Sequence, residues 1–233
     1  MAPLCASADP SASQEIKITQ FAGWGEFTQV TLPEIHKAFV DEHGDDLVDL
    51  GAWHDEVQIT VAANEEAPID SLNGLAAHGD AFNYETAGIE PGAGQTLLIE
   101  EHVIPGYGLD QMTFVTSSIA AILASLDGAT GAGKNFAASL WEPHWAYLEY
   151  PIKNLQDPDG LLGPEESEHI FASAGFPHPQ PEMTQWLRDF WISPVEPMEL
   201  EREAPVVHAD EKPAAGVAAW AEKYPEFISA LTS

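Results

Sequence analysis

An α/β fold with a largely parallel sheet is predicted by short strand-like and helix-like runs that alternate between residues 15 and 141. The chain's 233 residues, 45% of them hydrophobic, are enough for one large or two small domains with a real core. No run approaches the roughly 18 apolar residues of a membrane span.

The elements follow in order. EIKITQF (15–21) alternates Ile16 and Ile18 with polar residues and predicts a first strand, with GWGEF as the turn after it. LPEIHKAFVDEHG (32–44) predicts a helix that starts near Pro33, carries Ile35, Phe39 and Val40 on one side and stops at Gly44. DLVDLGAW leads into VQITVAA (57–63), a β-rich run expected as a buried strand, and IDSLNGLA is a short helix that starts at Asp70 or Ser71. YETAGIEPGAG (84–94) is a strand running into a Gly/Pro turn, followed by a helix through TLLIEEHVI. TFVTSS is a strand opening onto a serine turn, IAAILASL (119–126) a helix, GATGAGKN (128–135) a loop and FAASLW (136–141) a strand.

The last third, from about residue 151, is Pro-rich. ESEHIFASAG, MTQWLRDFWI and GVAAWAEKYPEFISALT are expected as helices there. Trp186 and Phe190 fall at i and i+4 with Trp191 beside them, the spacing of a packed face, so all three rings are assigned to core. Residues 196–215, acidic and punctuated by Pro, are expected as a solvated loop.

Charge excludes one class of partner. Thirty-eight Asp and Glu face eight Lys and Arg, a formal charge of −30, so the basic clusters that bind phosphate backbones are missing. So many carboxylates form a solvated surface, and with Lys this scarce they point to a protein that works in high salt, where screening removes self-repulsion. Circular dichroism against salt concentration tests this: helicity should fall in dilute buffer, and full folding there would count against it. Cys5 is the sole cysteine, so no intramolecular disulfide forms. MAPLCASADPSASQ has no apolar signal core and reads as a lead-in or tether over 1–14, in which Cys5 is either a lipid attachment point or incidental.

Several motifs invite chemistry. GATGAGKN spells G-x-x-x-x-G-K, but Asn135 stands where Ser or Thr would hold magnesium, and the loop follows a helix rather than a strand. It therefore reads as a helix-to-strand turn using Gly at positive φ. Pairs such as His54-Asp55-Glu56 or Asp41-Glu42-His43 are metal-like only in composition, because adjacent side chains diverge; no metal site and no cofactor is expected. PGAG (91–94) between strand and helix is either a tight turn or a place where Gly94 lets a ligand approach the N–H groups of a helix start.

SLWEPHWAYLEY (139–150) raises a sharper question, since two of seven Trp flank one Pro-His step. A strand that ends at Trp141, with Pro143 blocking its continuation, leaves Trp141, His144 and Trp145 where α/β sheets place ligands. Indole faces suit a cation, and His and indole N–H groups suit a carboxylate, so these rings fit a zwitterion with a quaternary ammonium. Strand-end packing is the alternative.

GIEPGAG (88–94), YGLDQMTFVTSSIAAILASLDGA (107–129) and WEPHWAYLEYPIKNLQDPDGLLG (141–163), with DDLVDLGAW (45–53) and a closing helix carrying Tyr-Pro-Glu, resemble the substrate-binding proteins of glycine betaine/proline-type ABC transporters. The resemblance implies a periplasmic-binding-protein-like fold of type II, two lobes closing on a ligand cleft with an aromatic box around the trimethylammonium. It implies lobe one at 15–62 and 146–233 and lobe two at 63–145. By motif position Trp141, His144 and Trp145 carry over, as do Trp24 with its acidic neighbour Glu26, and His36 in LPEIH. Trp53 is a candidate wall. Thr31 departs from the family's usual tryptophan, and the first lobe is expected to be shortened between GWGEF and LPEIH.

The implied protein is a non-enzymatic, extracytoplasmic receptor for glycine betaine, choline, carnitine or proline betaine, serving an ABC transporter membrane subunit. The alternatives are a sensor or receptor domain of the same fold with altered or lost binding, favoured by Thr31 and the short lobe, and a metal-dependent hydrolase built on the scattered His and carboxylates.

Overall fold

The computed structural model describes residues 35–193, 195–203 and 213–231. Its spine is one 18-residue strand, β1 (Leu47–Asn64), which changes partner along its length. From Leu47 to Val57 it pairs antiparallel with β6 (Glu166–Ser173). From Gln58 it pairs antiparallel with β4 (Ala137–Glu142), and from Ala62 also with β5 (Ile152–Asn154). Two lobes therefore share one strand, whose partners change at Val57/Gln58. The register with β6 shifts three times, and Gly51 (φ 113°) and Glu56 (φ 61°) hold the positive-φ positions of that irregular stretch.

Lobe two is built on the order β3-β2-β4-β1-β5, with β2 (Glu85–Gly88) and β3 (Thr113–Thr116) parallel to each other and β2 parallel to β4. The sheet is thus mixed, not largely parallel. Helical crossovers make β2, β3 and β4 run one way, whereas β1 enters from the other lobe and runs against its neighbours. One face is covered by α2 (Leu72–Ala77), α3 (Gly94–Leu98), the π-helical turn Ile99–Val103 and α4 (Ile104–Gly106), whose Leu72, Leu75, Ile99 and Val103 are buried against Val57, Val61 and Ala63. The other is covered by α5 (Ile119–Gly131), which places Ile122 on Ile89, Ala138 and Leu140. Burial on both faces explains why Ile59 to Asn64 read as a continuous buried run.

Local signals set several boundaries. Ser71 caps α2, its Oγ accepting from Asn73 N at 3.4 Å, and Ser118 caps α5, accepting from Ala121 N at 3.3 Å. Helix α5 runs on through Gly128–Gly131, longer than expected, before Gly133 (φ 63°) turns the chain into β4. Helix α1 (Lys37–His43) passes into a 3-10 turn, Gly44–Asp46, since Gly44 (φ −55°, ψ −33°) stays right-handed instead of stopping the helix.

Lobe one joins β1 and β6 to α7 (Pro181–Asp189), α8 (Val195–Arg202), α9 (Pro213–Lys223) and α10 (Pro225–Leu231). Its core is Trp53, Ile192 and Trp220, with Phe190, Leu200 and Phe227 packed around them. Three expectations change here. ESEHIFASAG is strand β6, because the free first half of β1 offers a ladder that outweighs its helical pattern. Residues 196–202 are helical, because Leu200 reaches the core and Trp220 Nε1 donates to Glu196 O at 3.1 Å. Trp191 is 46% exposed: α7 ends at Asp189, Phe190 is extended and stacks on Trp186 at 5.5 Å, and the next side chain faces solvent.

Candidate functional site

Strand β4 delivers the ring group to the edge of lobe two. Leu140 is buried in the α5-side core, and Trp141, its register partner Ile59 in lobe two's main core, packs against both core clusters while staying partly exposed. Past Glu142 the chain turns through Pro143, the Glu142–Pro143 peptide being cis, into α6 (Ala146–Glu149). Trp141 and the His144 ring meet at right angles with centroids 4.6 Å apart, and His144 stacks on Trp145 at 5.7 Å. Trp145 in turn tilts on Tyr150 at 6.1 Å. His144 itself is buried, 3% exposed, and burial lowers its pKa to about 4. Its ring is therefore neutral near pH 7, and Nδ1 accepts the Ala146 N–H at 3.0 Å, which leaves the proton on Nε2.

A polar network fixes this loop on β1 and β5. Glu142 Oε2 accepts from Gln58 Nε2 at 3.1 Å and Asn154 Nδ2 at 2.8 Å. The Tyr147 hydroxyl donates to Asn154 Oδ1 at 2.6 Å and shares a bond with Thr60 Oγ1 at 2.7 Å. Burial raises the Tyr147 pKa far beyond the physiological range, so the hydroxyl remains a donor. None of these positions carries a local sequence signal. Only the register of β1 with β4 and β5 shows that they meet.

The start of α3 forms the neighbouring wall. Gln95 is buried and its Nε2 donates to Ser139 Oγ and to Leu140 O (the latter at 3.2 Å), tying the helix to β4 one residue before Trp141. A Cβ on Gly94 would lie 2.7 Å from Ile35 O and 3.2 Å from His36 Cδ2, so glycine is required for Ile35–His36 to seat there. Thus His36, 7% exposed, and Gly94 are brought together, as are Trp141, His144 and Trp145. Trp53 sits apart: it is 5% exposed in the lobe-one core, stacked on Phe190 at 5.9 Å. Trp24, Glu26, Thr31 and the expected shortening of lobe one lie outside the described residues.

Among the described residues no three of His, Cys, Asp or Glu converge in a group able to hold a metal ion, and no helix is long and apolar enough to cross a membrane. The arrangement can offer aromatic faces to a cation and a neutral imidazole N–H to an anion.

Comparison with known proteins identifies relatives of the chain. A family model described as the substrate binding domain of ABC-type glycine betaine transport systems matches residues 22–223. A glycine betaine/carnitine transport binding protein of Listeria monocytogenes is 28% identical over 168 residues, 71% of this chain and 54% of the relative, so the chain spans about half of that protein's length. The crystal structure of a glycine betaine, L-proline-binding protein from Borrelia burgdorferi superposes with a TM-score of 0.76 at 26% identity, over 87% of this chain and 78% of the other. A lactococcal protein in a closed form complexed with glycine betaine gives a TM-score of 0.77 at 23% identity over 87% and 77%, a likeness of fold. These neighbours share the two-lobed, type II periplasmic-binding-protein architecture.

Proposed function

The chain belongs to the family of substrate-binding domains of ABC-type glycine betaine transport systems, and from that premise we propose that it captures glycine betaine or a related quaternary-ammonium zwitterion for ABC import. The observation that carries this is the ring group of Trp141 and Trp145, partly exposed on either side of a buried, neutral His144. Indole faces attract a methylated ammonium with about 0.5–2 kcal/mol each, depending on desolvation. A neutral His144 offers an Nε2–H to the solute carboxylate without bringing a positive charge near the ammonium.

We take the changeover of β1 as the lobe boundary, with His36 approaching Gly94 from lobe one and the ring group contributed by lobe two. Trp24 remains a proposed further wall. The role is one of binding and delivery, in keeping with a family of transport proteins rather than enzymes. We place the protein outside the cytoplasmic membrane, where a receptor for an importer meets its solute and docks on the membrane subunit. Tryptophan fluorescence titrated with glycine betaine is expected to change saturably. A flat titration with glycine betaine, choline, carnitine and proline betaine would remove the reading.

A further inference from the structure

The segment 142–147 carries His144 and Trp145 and follows Trp141 directly, and it is gripped at both ends. At its start, Glu142 Oε2 accepts an N–H from Gln58 at 3.1 Å and another from Asn154 at 2.8 Å. At its end, the Tyr147 hydroxyl meets Asn154 Oδ1 at 2.6 Å and Thr60 Oγ1 at 2.7 Å. Gln58 and Thr60 are alternate residues of β1 and so share one face of the strand. Asn154 stands on β5 opposite Ala62, the next residue of β1 on that face. Both anchors therefore land on one row of side chains, and Gln58 is the first residue of β1 to pair with β4.

The donors run in one direction. A carboxylate only accepts, so Asn154 presents Nδ2 to Glu142 and Oδ1 to Tyr147. Tyr147 then gives its one proton to Asn154, and the bond with Thr60 is donated by the threonine. Thr60 is 3% exposed, so its hydroxyl has little water to turn to if Tyr147 is lost. Asn154 is the link between the two anchors, since its two amide atoms serve one each.

We propose that Glu142, Asn154 and Tyr147 are positioning residues for the solute site: they clamp both ends of the ring-bearing segment to β1 and so fix His144 and Trp145 against Trp141. This rests on the solute-binding reading above. The three act through the rings, whose attraction for a methylated ammonium depends on distance and desolvation. Neighbours on a strand project to opposite faces, which keeps the Glu142 carboxylate on the clamp side while Trp141 lies beside His144. The apolar core beside the clamp, Leu140 on Ile122 and Ile89, does not depend on these hydrogen bonds. Loosening the clamp therefore weakens capture more than it weakens the fold.

Asn154→Asp tests the link, because it replaces the donor with a second carboxyl group facing Glu142. Glycine betaine affinity, measured by calorimetry on the full chain at neutral pH, is expected to fall by about tenfold or more. Adding Glu142→Gln exchanges amide and carboxylate between the two positions, and Gln58 can turn its own amide to suit, so every bond of the clamp can re-form. The double variant should return to within about threefold of wild type. Tyr147→Phe keeps the packed ring, loses only the hydroxyl and should bind about fivefold more weakly, which provides the reading if Asn154→Asp does not fold. Wild-type affinity in a folded Asn154→Asp or Tyr147→Phe, or a double variant as weak as Asn154→Asp alone, overturns the proposal. Absence of saturable binding by wild type instead removes the solute reading. Near-UV circular dichroism of the ligand-free tryptophans then decides the clamp: a signal altered by Asn154→Asp and restored in the double variant keeps it, and identical spectra remove it.

Discussion

On the proposed solute-binding role, Trp141→Ala is expected to weaken glycine betaine binding by about 100-fold or more, or roughly 2.7 kcal/mol. Cation–π attraction from one indole accounts for up to about 2 kcal/mol of this when the ammonium is desolvated. The remainder comes from water admitted to the open side and from the freed His144 ring, which now lies perpendicular to Trp141 with ring centroids 4.6 Å apart. The substitution also removes a fluorophore, so affinity should be read by calorimetry. Trp141→Phe is the control, retaining a smaller aromatic face and losing about tenfold. Because Trp141 packs against both cores of lobe two, circular dichroism must show the alanine variant folded. A folded Trp141→Ala with wild-type affinity would show that the ring fills space rather than gripping solute.

Leu140→Ala is expected to cost a large part of the stability of lobe two. Leu140 is 1% exposed on β4 and packs with Ile89, Ile122 and Ala138. Truncation removes its transfer free energy and leaves a cavity between sheet and helix α5, a cost of about 2–5 kcal/mol for a fully buried leucine. For a chain of this size that lowers the thermal midpoint by roughly 5–15 °C. The effect reaches the site, because Leu140 O accepts from Gln95 Nε2 and the next residue is Trp141. Thermal unfolding should show the drop, while solute affinity at low temperature falls much less. A midpoint within a degree of wild type would mean that the α5-side core does not hold β4.

Lobe two was largely legible from the chain because its elements are short and locally signalled. Ser71 and Ser118 act as caps, Gly133 supplies the positive φ after α5, and the β-rich run Val57–Ala63 is buried on both faces. Lobe one was less legible. Glu166–Ser173 has the composition of a helix and becomes a strand only because half of β1 lies unpaired beside it. Trp53, a plausible wall when read in sequence, is drawn into a core whose other members lie more than a hundred residues away, among them Ile192 and Trp220.

The covalent chain determined which chemistry was available: clustered indoles beside a Pro-His step, too few basic residues to hold nucleic acid, and glycine where backbones approach closely. Those properties are local, so they survive being read one residue at a time. Strand direction, the shared strand between lobes, and the network that carries Glu142 and Tyr147 were decided only by tertiary structure. Each depends on pairing between distant segments, where burial and register, not local propensity, set the free energy.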